Sequence, residues 1–312
     1  MCSLGNYLER KFSTIPPRAN IQGFLQLLML VVQSQSLVVS IPVLVTWTRL
    51  LSHRALGPAT AGMPFIVDLL ELCSNRLLRY ENLSEDTEDP TYVLLIEDTD
   101  TIPERHAFLG NYRRYSCQVI ESIVHLRLSD AFSHILGRAE NALRTLYDGQ
   151  PPLNPSNYSK NSIPVLTIDT HATVIETALR GYVKWRTVRA QTPEEEQKMV
   201  AIEAYFEKWC GQLLEMKFED PLIRKRILQL LVAFSTSALD SNPGFMLKVL
   251  EHILMTWPAL QPEHKVFNDA IRDLQTESMV ELQRLASKMP DHLLVSFAIF
   301  SQFSGWDLLL TP

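Results

Sequence analysis

Glycine and cysteine are used sparingly in this sequence. It has 11 glycines in 312 residues, about half the usual frequency of roughly 7%. Glycine-rich phosphate loops and turn-dense β-sandwiches both need more glycine, so the shortage favours helices. The four cysteines are far apart and form no Cys-x-x-Cys or Cys/His zinc pattern, which suits a reducing compartment. They are Cys2, Cys73, Cys117 and Cys210.

Motifs of catalysis and cofactor binding are also missing. The sequence has no phosphate-loop, dinucleotide-binding, nucleophile-elbow or zinc-protease pattern. The paired carboxylates in residues 81–104 lack the glycine and the distal glutamate of a calcium loop. We therefore expect no enzymatic activity, no cofactor and no metal. An all-helical enzyme, whose site is assembled from distant residues, remains an alternative.

The chain has no excess of positive charge and no long apolar run. Its 29 basic and 35 acidic residues give a net charge of −6, unlike a basic nucleic-acid-binding module. The apolar runs Phe24–Val32 and Leu293–Phe300 are much shorter than the roughly 20 residues of a membrane-spanning helix. The N-terminus does not have the pattern of a signal peptide. We therefore expect no membrane insertion.

The acidity is concentrated in one stretch. Residues 81–104 contain nine acidic residues and no lysine or arginine, and outside them 29 basic residues face 26 acidic ones. One interpretation is a solvated loop whose apolar centre, Tyr92–Ile96, docks on a helix. The other is an acidic finger that contacts a basic partner or occupies a basic groove, and we expect the insertion to project from the helical stack.

Helical periodicity is what the sequence has in abundance. Apolar residues recur at helical spacing in 221–236 and 243–257, and the polar turn 237–244 separates them. The pattern predicts an antiparallel helix pair there. Applied to the whole chain, it predicts about eleven helices. Their approximate ranges are 21–34, 40–54, 62–80, 104–127, 130–147, 170–190, 194–217, 221–236, 243–257, 264–288 and 291–303.

The succession of helices indicates a repeat architecture. Where loops are short, each helix pair occupies about 45 residues, within the range of HEAT and armadillo repeats. Most helices carry apolar residues on more than one face, as stacked layers require. The predicted fold is all-α, an α-solenoid of HEAT-like antiparallel helix pairs, with an irregular helical bundle as the alternative. Two long connections interrupt it, the acidic insertion 81–104 and the proline-rich loop 148–164.

Charged residues are the candidates for partner binding. The acidic group comes from the insertion, and the basic residues fall on three predicted helices. At 100° per residue Arg180 and Lys184 share a helix face. Solvated helix faces are the alternative for each group. The candidates are Glu97, Asp98, Asp100, Arg105, Arg113, Arg114, Arg180, Lys184, Arg224, Lys225 and Arg226.

Four segments resemble the exportin-5 and HASTY class of importin-β-like karyopherins, with the fungal multi-cargo exportins most similar. The similarity covers most of residues 4–294, and its strength lies in order and extent. The segments are LVVSIPVLVTWTRLL (37–51), EDTDTIPERHAFLGNYRRYSCQVIESIV (97–124), LYDGQPPLNP (146–155) and FEDPLIRKRILQLLVAFS (218–235).

The resemblance implies a function that the residue pattern alone does not. Members of this family are long HEAT superhelices that bind Ran-GTP together with protein or structured-RNA cargo and pass through nuclear pores. It therefore implies Ran-GTP, cargo and nucleoporins as partners, and a location in nucleus and cytoplasm. No catalytic residue transfers, because the family has none.

The chain resembles only a middle portion of the family, whose members are several times longer. We interpret residues 1–294 as a HEAT-repeat segment and 295–312 as a divergent C-terminal tail. The repeats that make the main Ran contact in the family lie outside the similarity. A generic helical-repeat scaffold unrelated to Ran is the alternative function.

Overall fold

The helices of this chain pack against their neighbours along the sequence. The computed structural model describes residues 2–12, 19–189, 192–261 and 263–289, and in these ranges it contains thirteen α-helices and no strand. The predicted all-α helical-repeat fold is confirmed. The chain divides into two compact units. The first comprises Met1–Pro151 and Asn161–Met199, and the second Pro152–Lys160 and Val200–Pro312.

The helices are numbered in chain order. They are α1 (Cys2–Lys11), α2 (Ile21–Val32), α3 (Leu37–Ser52), α4 (Leu56–Ala61), α5 (Ile66–Asn75), α6 (Pro90–Glu97), α7 (Ile102–Leu126), α8 (Leu128–Arg144), α9 (Ile163–Arg189), α10 (Pro193–Glu215), α11 (Pro221–Ala233), α12 (Pro243–Met255) and α13 (Lys265–Ala286). Short 3₁₀ turns lie at Tyr80–Asn82 and Pro155–Asn157, and a π-turn at Phe234–Ala238 follows α11.

Three helices begin with the same local signal, an Asp or Asn followed by proline. The signal occurs at Asp89-Pro90, Asp220-Pro221 and Asn242-Pro243. In each case the side-chain oxygen accepts a hydrogen bond from a backbone amide of the first turn, at 2.8–3.0 Å. Proline has no backbone N–H that would stay without a partner in the first turn, and its fixed φ suits the first helical position. These dipeptides therefore set where α6, α11 and α12 start.

In the first unit the long helices α7 and α9 pack against each other, and α7 also packs against α3. The apolar stripe of α7 is fully buried at Val119, Ile120 and Val124. The two helices approach each other closely at Gly181. A Cβ atom there would lie 2.7 Å from the Glu121 carbonyl oxygen and 2.9 Å from Val124 Cβ. The absence of a side chain at this position permits the close approach.

A buried arginine joins four helices of the first unit. Arg76 follows α5 and is only 5% exposed. Its Nη2 donates a hydrogen bond to the Ser34 carbonyl after α2 at 2.8 Å, and its Nη1 donates to the Tyr112 hydroxyl on α7 at 3.5 Å. The Tyr112 hydroxyl lies 2.9 Å from Ser40 Oγ on α3. These bonds satisfy polar groups in a region closed to water.

In the second unit three aromatic rings pack together within the core. Phe206 and Trp209 of α10 pack their rings 5.2 and 5.7 Å from that of Phe234. The proline-rich segment is anchored by Tyr158, whose hydroxyl donates to Asp220 Oδ1 at 2.9 Å and whose ring contacts Phe267 edge-on at 5.1 Å. Burial raises the pKa of Tyr158, so the hydroxyl keeps its proton and remains a donor.

The observed helices follow the predicted ones with four main differences. The helices α1, α4 and α6 were not predicted, and α9 begins at Ile163, inside the predicted loop 148–164. The α4 sequence, LGPATA, carries glycine and proline and therefore looks like a turn. The predicted helix 291–303 and the boundary at residue 294 lie outside the described residues.

The close approach of α7 and α9 predicts opposite effects of one substitution at two glycines. Gly181→Ala should lower the free energy of unfolding by about 1–3 kcal/mol, because the new methyl group overlaps the α7 backbone. Gly110→Ala, on an exposed part of α7 with nothing within 4 Å, should raise it by up to about 1 kcal/mol, as alanine favours helix over glycine. Urea unfolding of both variants measures the difference. If the two variants have equal stability, the packing of α9 on α7 does not depend on the missing side chain at Gly181.

Candidate functional site

The acidic segment 81–104 is folded onto the first unit. Its apolar centre forms α6, where Tyr92 and Leu95 are buried, and α6 packs against α3. Thr91 Oγ1 donates to Gln35 Oε1 at 2.8 Å. The apolar residues thus dock on a helix, as one interpretation predicted, but they form a helix themselves instead of a loop. Because α6 packs against α3, the insertion does not project at α6 as expected, while contact of its acidic residues with a basic partner or groove stays a prediction.

While the apolar residues of α6 pack against the protein, the acidic residues at and after its end remain in solvent. Glu97, Asp98 and Asp100 are all exposed, at the end of α6 and in the connection to α7. We call these three residues the acidic edge. Asp98 accepts a hydrogen bond from Ser36 Oγ at 2.8 Å, which fixes it beside the start of α3. The structure therefore brings the three predicted acidic candidates together.

The basic candidates on α7 do not form a patch. Arg113 forms an ion pair with Glu81, at the opposite end of the acidic segment. Arg105 donates from Nε to Thr99 Oγ1 at 3.1 Å, inside the same connection. Arg114 lies over the Tyr115 ring, 4.7 Å from its centre. Two of these three arginines hold the acidic segment in place.

Arg180 and Lys184 share a face of α9, as the helical spacing predicts, and both contact one carboxylate. Glu121 of α7 forms an ion pair with Arg180 at 3.5 Å and a shorter one with Lys184. The side chains of Arg180 and Lys184 are 55% and 66% exposed, and that of Glu121 only 15%. Two cations thus face solvent around one shielded anion, with one net positive charge.

The three consecutive basic residues of α11 have three different surroundings. Lys225 forms an ion pair with Glu277 at 3.6 Å, and Arg226 Nη1 donates to Gln229 Oε1 at 2.6 Å. Arg224 donates from Nη2 to the Thr256 carbonyl oxygen and lines a cavity. Adjacent positions on a helix point about 100° apart. The three residues therefore do not act as one site.

A polar cavity of about 740 Å³ lies between α8 and α9, and sequence analysis missed it. His134, Arg138 and His171 line it. Burial, and next the charge of Arg138, lowers the pKa of His171 to about 4, and the same two causes lower the pKa of His134. Both imidazoles are therefore neutral at pH 7. In the sequence, the cavity is indicated only by the i, i+4 spacing of His134 and Arg138, which places both side chains on one face of α8.

In the described ranges no group of three or more His, Cys, Asp or Glu side chains is placed to hold a metal ion. Over the same part of the chain, no helix has the length and apolar content needed to span a membrane.

Comparison with known proteins identifies relatives over nearly the whole chain. The Exportin-5 family model matches residues 1–303. The chain is 25% identical over 299 residues to the protein C328.01c of Schizosaccharomyces pombe, an alignment of 94% of this chain and 24% of that protein. It is 24% identical over 275 residues to the protein MSN5 of Saccharomyces cerevisiae, covering 88% of this chain and 22% of MSN5. The chain spans about a quarter of the length of these relatives.

The surroundings of His171 predict a loss of stability in acid. Its pKa is about 4 in the folded protein and 6.5 ordinarily, so between these pH values the unfolded chain binds more protons. The contribution of neutral His171 is present above about pH 6.5 and is lost as the pH falls toward 4. In His171→Gln, the decrease in unfolding free energy between pH 6.5 and 4.5 should shrink by on the order of 2 kcal/mol.

Urea unfolding at a series of pH values measures this decrease. His106→Gln is the matched control, because it makes the same substitution at a side chain that is exposed on α7 and lies outside the cavity. Parallel pH profiles for the wild type and His171→Gln would contradict the assignment.

Proposed function

The chain belongs to the Exportin-5 family, and on that premise we propose that it is a segment of a nuclear export receptor that binds Ran-GTP together with cargo. The observation that carries the proposal is the family match over residues 1–303, supported by the all-helical repeat architecture of the described residues. Such a protein acts as a transport receptor and not as an enzyme. Protein or structured RNA is the cargo, nucleoporins are further partners, and the receptor moves between nucleus and cytoplasm.

The mechanism that suits stacked helix pairs is cooperative binding. Each repeat contacts mainly its neighbours, so small changes between repeats add up along the array. If Ran-GTP and cargo favour the same arrangement of repeats, each raises the affinity of the receptor for the other by the same factor. Hydrolysis of the GTP on Ran would then release both.

The surface charges of the first unit suggest where partners meet this segment. The acidic edge, Glu97, Asp98 and Asp100, is exposed on a docked helix and its connection, and we propose that it contacts a basic patch on Ran or cargo. Arg180 and Lys184, which stay more than half exposed beside Glu121, are proposed to contact acidic cargo or RNA phosphates. Arg105, Arg113, Arg114, Lys225 and Arg226 have contacts within the chain and are weaker candidates.

The proposed function predicts a dependence on the nucleotide of Ran. The full-length protein that contains this segment should bind Ran loaded with a non-hydrolysable GTP analogue and should bind Ran-GDP far more weakly. Cargo should raise its affinity for the GTP form by about 5- to 150-fold, the usual range of coupling between two sites. Biolayer interferometry with immobilised Ran measures both effects.

The matched control is Ran-GDP at the same concentration. The cargo is recovered beforehand by purifying the full-length protein, together with the GTP form of Ran, from nuclear extract. Equal affinity for the two nucleotide states would overturn the export function. The generic helical-repeat scaffold would then be the better interpretation.

The acidic edge predicts a salt-dependent contact. The triple variant Glu97→Gln, Asp98→Asn and Asp100→Asn of the full-length protein should weaken the Ran-GTP–cargo complex by about 3- to 150-fold at low salt, because each exposed charge pair contributes about 0.2–1 kcal/mol. The effect should appear mainly in the association rate and should fade as salt screens the charges.

A second triple variant removes the same charge elsewhere. Glu194→Gln, Glu196→Gln and Glu251→Gln change three exposed carboxylates on α10 and α12 and should leave the affinity unchanged. If both triple variants weaken the complex equally, net charge and not the acidic edge is responsible.

A further inference from the structure

A second cavity, of about 370 Å³, lies within the second unit. The end of α10 and the residues after it, together with α11, α12 and α13, form its walls. Pockets of this size with apolar walls and a few polar groups are typical of ligand sites. The apolar wall residues are Leu213, Leu214, Ile227, Leu228, Ile253 and Leu274.

The guanidinium of Arg224 lies in this apolar surrounding. It is half-buried, and burial lowers its pKa from the ordinary value. Its Nη2 donates to the Thr256 carbonyl oxygen, but in the ranges that the structure describes it forms no ion pair. A guanidinium has five N–H donors. The next residue, Lys225, has the carboxylate of Glu277 at 3.6 Å, so the neighbouring cation on α11 has the counter-ion that Arg224 lacks.

The other charged groups of the cavity do not compensate Arg224. Glu215 lines the cavity but is exposed, and among the described residues no ion pair joins it to Arg224. Lys217 adds a second cation at the rim. His252 is neutral at pH 7, because burial and the nearby charge of Arg224 lower its pKa. The cavity therefore has an excess of positive charge against apolar walls.

We propose that this cavity binds an acidic and apolar peptide segment of a partner protein, with an Asp or Glu carboxylate on Arg224 and a neighbouring apolar side chain against the leucine and isoleucine walls. Removing a cation from water without an opposite charge is unfavourable, and a bound carboxylate would remove that penalty. The inference goes beyond the proposed function, since it requires neither Ran nor transport.

The chemistry of the cavity favours this occupant. A guanidinium and a carboxylate are both planar and form two parallel hydrogen bonds. The apolar walls gain free energy only from an apolar ligand group. A nucleic-acid backbone is charged at every nucleotide and would leave these walls without a partner.

The test is a parallel selection from a random dodecapeptide display library on the wild-type chain and on Arg224→Met. Methionine keeps the unbranched shape and removes the charge, and loss of a half-buried unpaired cation should not lower the melting temperature. We expect wild-type peptides to share an Asp or Glu flanked by Leu, Ile or Phe, and the variant to select no acidic residue at that position. Lys225→Met is the matched control and should select the same peptides as the wild type.

Fluorescence polarisation with the strongest selected peptide then measures the contact. Replacing its Asp by Asn, or Arg224 by Met, should weaken binding by about tenfold or more, and the two changes together should weaken it no further. The proposal is overturned if both chains select the same peptides, if no peptide is enriched, or if the two losses add. Binding of decanoate without any peptide binding would also overturn it, in favour of a small carboxylate.

Discussion

The packing of α9 on α7 is the constraint on which the first unit depends. Gly181 allows the two helices to approach until the space for a Cβ atom is taken by the Glu121 carbonyl oxygen and Val124. At this separation the apolar stripe of α7 is shielded from water along Val119–Val124. The same helix α7 supports α3 on another face. A small shift of α9 would therefore expose apolar surface on the central helix of the unit.

That packing also decides which charges are available for partners. Once α9 is seated on α7, Arg180 and Lys184 both reach Glu121, so the ion pairs are a consequence of the helix contact. In the acidic segment, packing leaves the charged residues exposed instead of bringing them to a partner. Its apolar residues Tyr92 and Leu95 face the protein, which leaves the acidic edge in solvent. The first unit therefore presents exposed carboxylates at the acidic edge, and around Glu121 it presents two exposed cations that share one carboxylate.

The long helices could be predicted from the sequence, and the charge pairs could not. Apolar spacing is a local property, so α2, α7 and α11 were found nearly at their observed bounds. The short helix α6 was missed because its stability comes from the Asp89 cap and from burial of Tyr92 against another helix. Ion pairs join residues far apart in sequence, such as Arg113 with Glu81 and Lys225 with Glu277, so no local pattern could show which cations are neutralised.

Two arginines, one buried and one half-buried, show how a cation without an ion pair can be structural in one place and open to a ligand in another. Arg76 has no ion pair in the described residues, but its bonds to the Ser34 carbonyl and the Tyr112 hydroxyl lie in a closed core at 5% exposure. The dipoles of a backbone carbonyl and a hydroxyl group thus replace a counter-ion. Arg224 donates to a single carbonyl oxygen, that of Thr256, and borders an open cavity with apolar walls. The protein can satisfy a guanidinium with its own groups, as at Arg76, and its failure to do so at Arg224 is the argument that a partner completes the site.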